Sequence, residues 1–379
     1  MTLLSICIPV FAPDAAIAGT LRRMLQRKHE DFEILIADFT GDRESRFAGL
    51  VGDIADTRLR LMTPARDGDV APPTDLSTCW NQIVAETRGG WITFVAASDY
   101  ADPGICEVIR ATLKRVPQAD ALSWGRAAYV LPAARTGQEI ARIPTGSLLT
   151  LPEQKDMMRR QFYWDGASDR PACDFGVWHG AVRRDLIERT REAFSGTYFE
   201  QAAPATDNVC KTVMLARRMV YWERPLSVQC EDPNPRPLAD ADGNLPFPDF
   251  PFSTDAGVAA SVALTIEAFK QRYGIELSGW EDNFIKACMH DCERADSAEV
   301  FHRRKALYAK SILAWRGKRA LTGFKPEFKR VPRLPRFLGI KDEHLHLDMG
   351  MDHTQSAAEF YRLIDAMLFP VDLLDDKLA

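Results

Sequence analysis

The chain has 379 residues, enough for one large domain with appendages or for two domains. A composition of 46% hydrophobic and 27% charged residues is that of a folded globular protein and excludes the disordered and fibrous classes. The net charge of −5 gives no general attraction for nucleic acid, and no run approaches the roughly 18 apolar residues of a membrane-spanning helix. The apolar N-terminus carries no basic leader and no small-residue cleavage site, so the expectation is a cytoplasmic protein without a secretory signal. Eight cysteines are scattered with no CxxC pair, which predicts reduced, buried thiols rather than a disulfide framework or zinc site.

Leu3–Phe11 reads as a strand: Leu4, Ile6, Cys7, Ile8 and Val10 form the near-continuous apolar run of a strand buried on both faces. A helical run, Ala15 to Lys28, leads into a second strand from Phe32 to Ala37, which stops at Asp38 before the turn Thr40-Gly41-Asp42. A helix over Arg43–Ile54, a short strand at Leu59–Met62 and a Pro/Gly/Asp-rich loop from Pro64 to Thr74 follow. Asp75 heads a helix with apolar positions at Leu76, Cys79, Trp80, Ile83 and Val84, and Gly89-Gly90 is its predicted stop. Trp91–Ala96 is a strand ending at Ala97-Ser98-Asp99. Asp102-Pro103-Gly104 starts a helix to Val116, and a further strand begins at Ala119. This alternation predicts a doubly wound sheet, whose ligands bind beyond the carboxyl ends of the strands. No GxGxxG follows the first strand and no GxxxxGK[ST] occurs, so the dinucleotide and P-loop motifs are absent.

Three ordered pieces, SICIPVF, FEILIADFTGD and STCWNQIVAETRGGWITFVAASDYADP, resemble the nucleotide-sugar half of the family-2 glycosyltransferases of the GT-A fold over roughly the first 105 residues. The resemblance implies an α/β fold with a mostly parallel, Rossmann-like central sheet. It also implies inverting transfer of a sugar from a nucleoside diphosphate-sugar, UDP-sugars being favoured, to a hydroxyl of a glycan, lipid-linked or other acceptor. Pro9, Val10 and Phe11 match the backbone shelf under the nucleotide, and Asp38 the carboxylate that accepts from base or ribose. The competing roles are ending the first strand and capping a turn. Arg66 is placed to reach a phosphate, or to be a solvated loop residue. The family holds a divalent cation, Mn²⁺ or Mg²⁺, with an Asp-x-Asp triplet. Here the triplet is Ala97-Ser98-Asp99, so Asp99 is the remaining candidate ligand and the first carboxylate is missing.

Phe175–Glu188 resembles the acceptor-side strand and helix of that family, with Trp178 and His179 as candidates to face the sugar; a packed Trp and a satisfied His is the alternative. Ala203-Pro-Ala-Thr-Asp207, ahead of Met219–Val228, resembles the segment that supplies the general base. Asp207 is the candidate, with an N-cap as its other possible role. A catalytically degenerate relative, acting as a binding module, is the rival reading because Ala97 replaces a carboxylate. A nucleotidyltransferase is weakened by the lack of a Gly-rich basic loop after the first strand.

The expected domains are residues 1–235 (nucleotide-sugar half 1–125, acceptor half 126–235), a loop or linker at 236–252, and a helical C-terminal region at 253–379. Helices are expected from Ser253 to Tyr273, Trp280 to Cys292, Glu299 to Trp315 and Ser356 to Leu368. Between Arg303 and Arg336 twelve Lys or Arg face one acid, Glu327, a net +11, so the rest of the chain carries −16. That segment suits peripheral contact with an anionic membrane surface, or a grip on the acidic remainder of the chain. His344, His346, Asp348, Asp352 and His353 are metal-capable residue types in a spacing that matches no zinc signature. The His-Leu-His-Leu alternation among them predicts a strand.

Overall fold

A computed structural model describes residues 2–12, 17–41, 46–63, 75–132, 135, 139–164, 175–231, 247–295, 297–328, 337–349, 353–368 and 371. The first half of the chain contains β1 (Leu4–Val10), α1 (Ile17–Leu25), β2 (Phe32–Asp38), α2 (Arg46–Ile54), β3 (Leu59–Met62), α3 (Leu76–Glu86), β4 (Trp91–Phe94), β5 (Tyr100–Ala101), α4 (Ile105–Arg115) and β6 (Ala121–Val130). Next come β7 (Ile140–Pro144), β8 (Leu149–Thr150), α5 (Gln154–Phe162), β9 (Gly180–Arg183), α6 (Arg184–Ala193), α7 (Pro204–Leu215) and β10 (Met219–Glu231). The remainder is α8 (Val258–Tyr273), α9 (Glu281–Glu293), α10 (Ala298–Leu321), β11 (Gly339–Lys341), β12 (His344–Asp348) and α11 (Ala357–Met367).

All the described strands join one sheet, with spatial order β11-β12-β7-β6-β9-β4-β1-β2-β3 and β10 lying beside β6. β3, β2, β1 and β4 run parallel, and β9 is antiparallel to both β4 and β6. β6 therefore points the same way as β4, and β10 is parallel to β6. This is the expected α/β architecture with a mostly parallel central sheet flanked by helices. The seven residues of β1 are all buried, as a strand covered on both faces requires. Their alternation splits the core: Ile6, Ile8 and Val10 face one apolar layer with α1, α4 and α11, and Cys7 faces the other with α3 and α5 to α10.

Helix α3 begins as predicted, the Asp75 carboxylate accepting from Thr78 N–H at 2.8 Å. Its end differs from expectation: the backbone turns extended at Thr87, before the glycines. Gly89 serves a close approach instead. A Cβ there would lie 2.5 Å from the backbone N of Ser5, and the Gly89 N–H donates to Ser5 Oγ at 2.8 Å. Ser5 in turn donates to the buried Glu33 carboxylate at 2.6 Å. Gly89→Ala should therefore lower stability by about 1–3 kcal/mol through overpacking, measured as a lower urea midpoint with an unchanged slope.

The C-terminal third departs most from expectation. The segment read as a loop or linker at 236–252 is, in its described part, core: Phe247, Phe250 and Phe252 are buried, and Phe250 and Phe252 pack against Phe284 and Trp315. Pro and Asp around these rings mark irregular backbone, but three phenylalanines in six residues cannot stay solvated as a group.

 Nor is the region after 253 purely helical. Leu345 and Leu347 of β12 pack on the sheet-side core, and the β11–β12 hairpin extends the sheet by pairing with β7. The His-Leu-His-Leu alternation is the cause, since it gives one apolar face. Helix α11 returns to the sheet domain, held by Arg27, which bridges Asp365 at 2.6 Å and Asp102 at 2.5 Å.

Helix α10 contains the predicted Glu299–Trp315 helix and breaks its regular geometry at Gly317, φ +74°. Part of its positive charge is used in packing. Arg304 donates to the Asp291 carbonyl at 2.9 Å, and Arg316 sits over the Trp315 ring, 4.0 Å from Glu281. Lys329, Arg330, Arg333 and Arg336 lie outside the described residues. Among the described residues no helix is long and apolar enough to cross a membrane. The seven described cysteines are all buried and free, as expected; Cys173 lies outside the described residues.

Candidate active site

The carboxyl ends of β1, β2 and β4 lie side by side, because Val10 pairs with Asp38 and Cys7 with Phe94. Pro9 and Val10 are inside β1, and the Val10 carbonyl accepts from Phe39 N–H at 2.8 Å. Half-buried Phe11 stacks on Phe39 with centroids 5.4 Å apart, making an aromatic step at this edge. Asp38 is buried and caps its turn: Oδ1 accepts from the Thr40 amide at 3.0 Å and from the Thr40 hydroxyl at 2.6 Å. Arg66 lies outside the described residues.

Asp99 sits in the turn after β4 and is 2% exposed. Its Oδ1 accepts from Cys230 N–H at 2.8 Å, and its Oδ2 from Ala96 N–H at 3.1 Å and His179 Nε2 at 2.8 Å. His179 Nδ1 is 2.9 Å from Ser227 Oγ, which accepts from Trp124 Nε1 at 2.9 Å. One assignment uses each hydrogen once: Trp124 donates to Ser227, Ser227 to His179, and His179 to Asp99. The chain joins β6, β10, the turn before β9 and the turn after β4. It holds His179 at φ +48°, a backbone conformation rare for a residue with a Cβ. Sequence reading placed His179 on the acceptor side and did not connect it to Asp99. Ser227 and Trp124 were not singled out, because nothing local in their surroundings marks them.

The divalent cation that the resemblance implies does not fit these residues. Ala97 and Ser98 bring no carboxylate, and both oxygens of Asp99 already meet protein donors in a buried place, whereas hard cations need several oxygen ligands with free lone pairs. Among the described residues no three His, Cys, Asp or Glu are grouped to hold a metal, the His344–His353 segment included; Asp352 lies outside them.

Asp207 lies in the first turn of α7, which starts at Pro204 with Ala203 at the cap position, so Asp207 is not the N-cap. It is 1% exposed. Oδ2 accepts from Glu200 N–H at 2.8 Å and from Lys211 Nζ at 3.0 Å, while the buried Oδ1 has no hydrogen-bond partner. Burial pushes its carboxyl above the ordinary aspartate value, and Lys211 and the Glu200 amide pull it only part of the way back. Glu200 and Lys211 were not singled out from the sequence; the i, i+4 spacing of Asp207 and Lys211 was the available signal.

A short strap links the segment before β9 to α7. Val177 N–H donates to the Asn208 side chain at 2.7 Å, fixing the residue before Trp178 to the residue after Asp207. Half-buried Trp178 stacks on Trp80 at 5.6 Å and 14°, and its chain neighbour His179 reaches Asp99. The structure thus joins His179 to Asp99 and ties the Trp178 segment to α7, the helix that carries Asp207.

No protein-family model and no curated protein matches the sequence. Among solved structures, the chain is similar to S. aureus TarS 1-349 in complex with UDP-GlcNAc at 11% identity and TM-score 0.48, covering 85% of this chain and 84% of that one. It is similar to S. aureus TarS at 12% identity and TM-score 0.49, covering 84% of this chain and 50% of that one. A mycobacterial protein follows at 14% identity and TM-score 0.39, covering 73% and 77%. The α/β class stands on the strand order and registers given above.

Proposed function

We propose that this chain is an inverting glycosyltransferase of the family-2 type, moving a sugar from a nucleoside diphosphate-sugar, with UDP favoured, to a hydroxyl of a glycan, lipid-linked or other acceptor. The observation that carries the reading is Asp207: a buried carboxylate with one oxygen fixed by two donors and the other unpartnered, on a helix tied to the Trp178 segment. The nucleotide would lie over Pro9, Val10 and Phe11, with Asp38 toward base or ribose, Arg66 toward a phosphate and the acceptor ring against Trp178. Asp207 Oδ1 would take the acceptor proton as the acceptor oxygen attacks the anomeric carbon opposite the leaving phosphate. No step runs through a cation, and Asp99 would act as a structural support. The basic run 303–336 would serve peripheral contact with an anionic surface.

Calorimetry tests the reading: UDP, GDP and their sugars titrated into the full chain, in Mn²⁺ and in EDTA. The expected result is binding of one nucleotide series with similar affinity in both buffers; no binding of any nucleotide would overturn the assignment. Trp178→Ala should abolish glycan-induced quenching of the intrinsic fluorescence while leaving nucleotide affinity unchanged. A second reading, a non-catalytic nucleotide- or sugar-binding relative, is favoured by the sealed Asp99 carboxylate; nucleotide binding without turnover of any donor would select it.

A further inference from the structure

Lys211 is a buried charge that the function above does not use. Its side chain is 1% exposed, and its ammonium meets three acceptors: the Tyr198 carbonyl at 3.0 Å, Glu200 Oε2 at 2.7 Å and Asp207 Oδ2 at 3.0 Å. Three hydrogens therefore have three partners, and the amine also lies 5.0 Å from the centre of the Phe194 ring. A buried ammonium is costly unless its charge is matched. Glu200 has cations and donors of its own from α8, with Arg272 at 3.7 Å and the Tyr273 hydroxyl on Oε1. Asp207, Glu200, Lys211 and Arg272 make a neutral quartet when both acids are ionised. The other titratable groups close by are Tyr198 and Cys210, and burial pushes both of them up, toward their uncharged forms.

Resting on the reading of Asp207 as the base, we propose that Lys211 is its positioning residue. It keeps Asp207 a carboxylate inside an apolar wall, anchors Oδ2 and leaves Oδ1 as the oxygen that receives the acceptor proton. In that step the acceptor oxygen forms its bond to the anomeric carbon, and the bond from that carbon to the phosphate oxygen breaks with its electron pair leaving on the diphosphate. The hydroxyl proton passes to Oδ1 and afterwards to water.

The test compares the full-length parent with Lys211→Met and Lys211→Arg. The Asp207 carboxyl is titrated by carbon-13 NMR, its signal assigned by loss in Asp207→Asn, and release of UDP from UDP-sugars is followed against pH. Lys211→Met should raise the Asp207 titration by about one pH unit or more and move the acid limb of turnover by the same amount, with the high-pH plateau kept. Lys211→Arg should restore both. An Asp207 titration that is the same in the parent and Lys211→Met overturns the proposal and needs no substrate to be read. If Lys211→Met does not fold, Lys211→Arg carries the test, and a titration shifted as far as about one unit in that variant overturns it. Turnover unchanged in Asp207→Asn, with the Lys211 shift present, would refute the base reading alone.

Discussion

The Asp207→Asn protein is expected to fold as the parent does and to turn over donor and acceptor about 100- to 10,000-fold more slowly, the range that a positioned general base contributes. An amide fills the same space and keeps an oxygen for the Glu200 amide and Lys211, but it cannot accept a proton at Oδ1. Nucleotide affinity should be unchanged, because the proposed function puts Asp207 on the acceptor side. The stability of the variant carries a second sign. The carboxyl of Asp207 sits above its ordinary value, so between the unfolded and folded values the native chain holds a proton that the unfolded chain has released. That contribution to stability is present below the unfolded value and declines as pH rises through the folded value. In Asp207→Asn the decline should be absent, which urea unfolding at a series of pH values from about 4 upward would register. Glu33 behaves in the opposite sense. Burial pushes it up, but hydrogen bonds from Ser5, the Arg88 amide and Arg60 outweigh this and hold it low, so its stabilisation is lost as pH falls through that lowered value. The two groups are separable by the sign of their slopes.

The parallel half of the sheet was legible because its strands are buried on both faces: Leu4–Val10 and Phe32–Asp38 announce themselves as unbroken apolar runs with a polar stop. The positions of Asp38 and Asp99 at strand ends followed from that. What Asp99 touches did not, since its partners, Ala96, His179 and Cys230, lie up to 134 positions apart in the chain and meet only through the sheet. The same holds for Asp207. Its place in α7 was visible, whereas its burial depends on the 198–200 segment and on α8, which lies more than fifty residues later. The Phe247–Phe252 segment differs for another reason: Pro and Asp signal broken backbone and so a loop or linker, but three rings in an irregular segment fill a core as well as three on a helix. The β11–β12 hairpin was half read. Alternation gave a strand, but its pairing with β7 across some two hundred residues is a property of the sheet edge.

Removing the Asp99 carboxylate should cost stability rather than metal affinity. In Asp99→Ala the amides of Ala96 and Cys230 and the Nε2 of His179 lose their acceptor inside the core, and a buried donor left without a partner costs about 1–3 kcal/mol. His179→Ala should cost less, because Asp99 keeps both amide donors. It leaves the Ser227 hydroxyl without its ring partner and keeps a Cβ at φ +48°. His179→Gly separates these two effects. It loses the same ring but relieves the backbone, so it should be the more stable of the two by about 1 kcal/mol. The Asp99→Ala and His179→Ala losses should also fall short of additivity in the double variant, by about 0.5–3 kcal/mol, as residues sharing one hydrogen bond do. Urea unfolding of the four proteins measures all of this, and a parallel Mn²⁺ titration supplies the control. If Asp99→Ala unfolded at the parent's midpoint and lost only a Mn²⁺ site, Asp99 would be a ligand after all. A lowered midpoint with no change in Mn²⁺ binding fixes it as the strut that ties the β4 turn to β10.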